Sequence, residues 1–91
     1  MVRPYTDRLL NNNTRIRRFD NNVNSEELVW HQDDRTRRIV VLEGLGWKLQ
    51  LDNQLPVDLL PDTSYTIPKE LHHRLHKGAG ELVIEIVEYD S

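Results

Sequence analysis

Residues 38–51 read Arg38-Ile39-Val40-Val41-Leu42-Glu43-Gly44-Leu45-Gly46-Trp47-Lys48-Leu49-Gln50-Leu51. The first half is rich in β-branched and aliphatic residues, two glycines interrupt it, and the second half alternates apolar with polar. Successive side chains of an extended chain point to opposite faces. Trp47, Leu49 and Leu51 therefore share one side, while Lys48, Gln50 and Asp52 share the other. This is a strand, a tight hairpin over Glu43-Gly44-Leu45-Gly46 where the glycines adopt conformations that a Cβ would oppose, and a second strand with one buried and one wet surface.

Working outward, the same short β-type runs recur at 28–33, 57–60, 65–68, 72–75 and 81–89, each closed by turn residues such as Asp52-Asn53-Gln54, Pro61-Asp62-Thr63 and Lys77-Gly78-Ala79-Gly80. No run has the length or period of a helix. Near the N-terminus, Asn11-Asn12-Asn13 and Asp20-Asn21-Asn22 bracket residues 14–19, where Ile16 alternates with Arg15 and Arg17 as in a half-buried edge strand. About eight short strands are predicted, the pattern of a sandwich, jelly roll or small barrel. Residues 1–22 read as an N-terminal arm with one edge strand, and residues 23–91 as a single domain. In the last strand Leu82, Ile84 and Ile86 share one face, while Val83, Glu85, Val87 and Tyr89 mix apolar with acidic groups on the other. That mixed face suits a protein interface, and a homodimer is the expectation.

The chain of 91 residues fits one domain, and it contains no cysteine. Disulfides and thiolate zinc sites are thereby excluded, and a reducing, cytoplasmic setting is expected. With 37% hydrophobic and 30% charged residues, the composition is that of a soluble globular protein with no membrane role. The opening MVRPYTDRLL lacks the apolar core of a secretory leader, so the mature chain is expected to be the whole chain. The net charge of −3 is uneven: residues 1–22 hold five Arg against two Asp, and the remainder seven Lys plus Arg against thirteen acidic residues. An acidic domain with a short basic arm is not a nucleic-acid binder, which needs a basic face. Nucleophile motifs and phosphate-binding glycine loops are missing as well, since Gly44-x-Gly46 and Gly78-x-Gly80 connect strands rather than open helices.

Chemistry concentrates in Trp30-His31-Gln32-Asp33 and His72-His73-Arg74. His31 and Asp33, two apart on an extended backbone, point to one side with Cβ atoms about 7 Å apart. A third ligand from another strand, with His73 the natural candidate, would complete a two-His, one-carboxylate set with coordination positions left open.

These residues carry a resemblance. The stretch from Trp30 to Glu88 resembles the small single-domain cupins, the RmlC-like jelly rolls, whose first motif is His-x-His, a short gap, Glu, then a hydrophobic strand and a Gly. Their second motif is Pro, a short gap and His. His31 matches the first His, Asp33 stands at the second, Arg38 stands where the family places its Glu, and Ile39-Val40-Val41-Leu42-Glu43-Gly44 matches the strand and glycine. Tyr65-Thr66-Ile67-Pro68 followed by His73 matches the second motif.

The resemblance implies an all-β, cupin-type jelly-roll barrel of about eight short strands, with His31, Asp33 and His73 holding a divalent metal (Fe, Mn, Ni or Zn). Arg38 either pairs with Asp33 and displaces the ion, or faces an anionic ligand beside it. Trp30 and Trp47 are expected at the rim or wall of the pocket, where an aromatic ring can stack on a ligand or on Arg38. Two functions follow: a metal-dependent cupin that binds or acts on a small polar or anionic molecule, its reaction unspecified, and a metal-free dimeric scaffold without catalysis.

Overall fold

In the computed structural model, which describes residues 5–20 and 28–89, the alternation resolves into eight strands. They are β1 (Tyr5–Asn11), β2 (Thr14–Phe19), β3 (Thr36–Leu45), β4 (Lys48–Leu51), β5 (Val57–Asp58), β6 (Ser64–Ile67), β7 (His73–His76) and β8 (Ala79–Tyr89). All pairings are antiparallel, in one five-stranded sheet of order β1-β2-β8-β3-β6 and one three-stranded sheet of order β5-β4-β7. No helix of the described residues is long and apolar enough to cross a membrane.

The two inner faces make the core. Ile39 and Val41 of β3 and Leu82, Ile84 and Ile86 of β8 pack with Phe19 of β2 against Leu49 of β4 and Leu75 of β7. Trp47 is fully enclosed, its ring 5.9 Å from that of Phe19. Burying such side chains supplies the main driving force in so small a domain, on the order of 2 kcal/mol for each large one.

The structure departs from expectation at the ends of the chain. Residues 5–11 form a strand that the sequence reading passed over, because Asp7 occupies an inward position between Tyr5 and Leu9 and breaks the apolar alternation. β1 is accordingly the sheet edge, and β2, expected there, lies between β1 and β8. Within β2 the phase is also reversed: Arg17 and Phe19 are buried, and Ile16 on the opposite side is half-buried. Residues 28–33 make no strand but a single bridge, His31 to His73. The boundary expected after residue 22, and the turn at Asn21-Asn22, fall outside the described residues. On the outer face of β8, Val83 is already buried within the chain, which leaves Tyr89 as its exposed apolar residue.

Two glycines fix how the hairpin meets the start of β8. Gly46 turns the chain at a φ of +76°, and Gly78 lies so close to that turn that a Cβ would sit 2.3 Å from the Leu45 carbonyl oxygen and 2.4 Å from the Trp47 nitrogen. Gly80, at a φ of +70°, has nothing within 4 Å of the same position. Gly80→Ala is expected to cost about 1–2 kcal/mol through the left-handed backbone alone. Gly78→Ala displaces backbone and costs clearly more. Urea midpoints of the two variants measured side by side check the order.

Candidate metal centre

His73 opens β7 with its side chain turned inward, and the segment before β3 is tied to it by reciprocal backbone hydrogen bonds. The His31 N–H donates to the His73 carbonyl at 3.0 Å, and the His73 N–H donates to the His31 carbonyl at 2.9 Å. The two imidazoles consequently lie with ring centres 4.3 Å apart. Asp33, two residues beyond His31, reaches the same point, and one ligand atom from each of the three residues lies within 4.8 Å of the others.

Each ring is oriented by its own chain. The Nδ1 of His31 meets the Val29 carbonyl and that of His73 the Leu71 carbonyl, both at 2.9 Å. A carbonyl only accepts, so each Nδ1 carries a proton toward it and each ring turns its Nε2 to the other side. For His73 that Nε2 faces Asp33 Oδ2 at 3.3 Å. This oxygen is buried and has no hydrogen-bond partner. A proton on Nε2, or a cation between the two atoms, makes this approach attractive. The contact with His73, followed by the nearby Arg37 charge, holds the Asp33 carboxyl below its usual range against the opposing cost of burial. An anionic oxygen with two neutral imidazole nitrogens is the donor set of a divalent transition ion, and the backbone carbonyls behind the rings are the support such ligands need.

Behind Asp33 runs a ladder of alternating charges. Arg37 Nη1 lies 3.4 Å from Asp33 Oδ2, its Nε donates to Glu88 Oε2 at 3.0 Å, and its Nη2 stands in ion-pair contact with the same oxygen at 3.0 Å. Glu88 Oε1 accepts from Arg15 at 2.6 Å, and Arg15 approaches Asp7 at 3.6 Å. Arg17 completes the series with a two-point bond to Asp7, at 2.7 and 2.9 Å, under a guanidinium whose face lies 3.7 Å from the Tyr5 ring centre. The Arg17 hydrogen bond holds the Asp7 carboxyl below the usual range, although burial pulls the other way.

Between the sheets is a cavity of about 320 Å3 whose polar lining is Arg17, His31, Asp33, Arg37 and His73, the remainder being Tyr5 and aliphatic or phenyl side chains. The structure thus brings together His31, Asp33 and His73 as expected. It does not bring the three expected ligand-binding residues to them. Arg38 is exposed on the outer face of β3, between Thr66 and Val87. The inward position, and the pairing with Asp33 foreseen for Arg38, belong to Arg37. Trp47 is core rather than cavity wall, and Trp30 is exposed, with the Arg74 guanidinium 5.8 Å from its ring centre. Arg37, Glu88, Arg15, Arg17 and Asp7 were not foreseen as neighbours of the site. The signal was available, because Arg37 continues the parity of Ile39 and Val41, and Glu88 that of Ile84 and Ile86.

Arg37→Ala leaves the Asp33 carboxylate without its nearby cation and Glu88 with Arg15 alone, and is expected to cost about 3 kcal/mol, whereas Arg38→Ala falls within roughly 0.5 kcal/mol of the parent. Chemical denaturation of both decides between the two faces of β3. A second expectation concerns acid. A carboxyl held below its unfolded value gives stability that is present above pH about 3.9 and is lost as pH falls through the lower folded value. Asp7→Asn should lower the urea midpoint at pH 7 and flatten its fall between pH 5 and 2.5.

No protein-family profile matches the sequence, and no curated protein resembles it significantly. Solved structures do. A cupin domain from Bordetella pertussis Tohama I superposes with a TM-score of 0.61 at 20% identity, over 99% of each chain. A cupin-2 domain protein from Shewanella frigidimarina NCIMB 400 gives 0.67 at 24% identity, covering 93% of this chain and 80% of the other. The Fe(II) form of HppE gives 0.63 at 20% identity, covering 84% of this chain and 41% of the enzyme. With two antiparallel sheets rolled face to face around the His31–Asp33–His73 cluster, the chain has the fold of a small cupin domain.

Proposed function

We propose that this cupin domain holds a divalent metal through His31 Nε2, Asp33 Oδ2 and His73 Nε2, and that it binds or acts on a small polar or anionic molecule in the adjoining cavity. The observation that carries the reading is the convergence of one ligand atom each from His31, Asp33 and His73 within 4.8 Å, where Asp33 Oδ2 is buried without a hydrogen-bond partner and His73 Nε2 stands 3.3 Å from it. When bound, such an ion supplies Lewis acidity at open coordination positions. The chain's own residues do the rest. The Val29 and Leu71 carbonyls fix the imidazoles, Arg37 and Glu88 hold the Asp33 carboxylate in place, and the aliphatic walls keep water from the ligand. HppE, with the same fold, is an Fe(II) protein.

A second reading, a metal-free dimeric scaffold, has one observation in its favour: Arg37 already offers Asp33 a positive charge at 3.4 Å. Elemental analysis of untagged protein, followed by anaerobic titration with Fe(II), Mn(II), Ni(II) and Zn(II), separates the two. One equivalent of ion is expected, with affinity reduced more than about 100-fold in His73→Ala and in Asp33→Ala, since the effect of losing a ligand exceeds that of losing its outer-shell support. Because the imidazoles must be neutral to bind, acidification should release the ion. Absence of uptake for all four ions would leave the scaffold.

A further inference from the structure

We infer that the molecule taken up beside the metal is a small anion with an apolar body, of the class of short aliphatic or aromatic carboxylates, and that the ion is the sole partner of its anionic end. This deepens the metal reading above and rests on it.

The first observation is how the cavity's cations are used. Arg17 and Arg37 both line the cavity, and two guanidiniums in a pocket ordinarily mean a phosphate or a polyanion. Here both forks are taken by the protein. Arg17 gives Nε and Nη2 to Asp7 and its face to Tyr5. Arg37 gives Nε and Nη2 to Glu88 and leans Nη1 on Asp33. Across the ladder the guanidiniums of Arg15, Arg17 and Arg37 are balanced by the carboxylates of Asp7, Asp33 and Glu88, so with neutral imidazoles the site carries no net charge. A phosphate would have to break one of these pairs and leave a carboxylate stranded at low exposure, which is costly. Addition of a divalent ion leaves two uncompensated positive charges at one place, the open side of His31, Asp33 and His73.

The second observation is what faces that place. The remaining wall includes Phe19, Leu28, Ile39, Leu49, Leu75 and Ile86. A hydroxylated body, such as a sugar, would find no hydrogen-bond partner along these side chains and would lose its hydration. An apolar body gains by each methylene it buries. The cavity of about 320 Å3 is roughly ten waters' worth of space, enough for a molecule of about ten heavy atoms.

The test is isothermal titration of Ni(II)-loaded protein, its loading verified by elemental analysis, with acetate, butyrate, hexanoate, benzoate, gluconate and inorganic phosphate. Affinity is expected to rise up to about fourfold per methylene, the equivalent of about 0.8 kcal/mol, until the cavity is filled. Hexanoate and benzoate should bind at least tenfold tighter than acetate, gluconate or phosphate, and removal of the ion with EDTA should abolish binding of all. Gluconate or phosphate binding tighter than hexanoate, or carboxylate binding that persists without metal, would each overturn the inference while leaving the metal site standing. Failure of the protein to take up Ni(II), Zn(II), Mn(II) or Fe(II) would overturn the metal reading and this inference with it.

Discussion

Glu88 receives two arginines from opposite sides. It stands on β8, the central strand of the larger sheet, and takes Arg15 from β2 on one oxygen and Arg37 from β3 on the other. The carboxylate thereby ties three adjacent strands on the cavity side of the sheet, and through Arg37 it sets where Asp33 lies. Without Glu88, Arg37 would lose its two short bonds and Asp33 its oriented cation. The position of the candidate ligand oxygen is thus decided by a residue far away in sequence, held by antiparallel pairing that the hydrophobic core enforces.

That arrangement divides the interior into two regimes. At one end Trp47, Leu49, Leu82 and Val41 make a dry core whose energy comes from area removed from water. At the other, the inward positions carry Arg15, Arg17, Arg37 and Glu88. A partly buried set of this kind adds little net stability over apolar side chains of the same volume, because each charge must first be stripped of water. What it adds is uniqueness of geometry, since each member has one orientation in which its partners are met. A domain of 91 residues has few apolar positions to spare, and this one gives several of them to charge beside the cavity. Function accounts for that choice better than stability does.

The same division explains how far the sequence could be read. The hairpin at 38–51, the turns and most strands were legible, because alternation of apolar and polar residues reports a one-sided core directly. The cluster of His31, Asp33 and His73 was legible as well, from residue chemistry and spacing. Alternation failed where the inner face is itself charged. Asp7 hid β1, Arg15 and Arg17 reversed the apparent phase of β2 and made Ile16 look inward, and Arg38 was assigned to the pocket in place of its inward neighbour Arg37. Residues 28–33, apolar enough to pass for a strand, have just one bridge. Motif alignment placed Arg38 by its sequence interval, whereas the side chain's direction is set by the phase of Ile39 and Val41 on the pleat.

The bond lengths around Asp33 show which contact in the ladder is free to be shared. Arg37 makes 3.0 Å bonds to Glu88 and only a 3.4 Å approach to Asp33 Oδ2, so its firm attachments lie on the side away from the imidazoles. His73 Nε2 approaches the same oxygen at 3.3 Å without forming a hydrogen bond. Asp33 Oδ2 therefore stands between two groups, neither of which satisfies it fully, while every carboxylate deeper in the ladder has short, two-point or paired partners. A permanent guanidinium charge beside a cation site weakens binding, yet this one is anchored to Glu88 and already shares its charge there. The firm attachments of the arginines do not run through Asp33 Oδ2, and that separates their structural role from the ligating role proposed for the carboxylate.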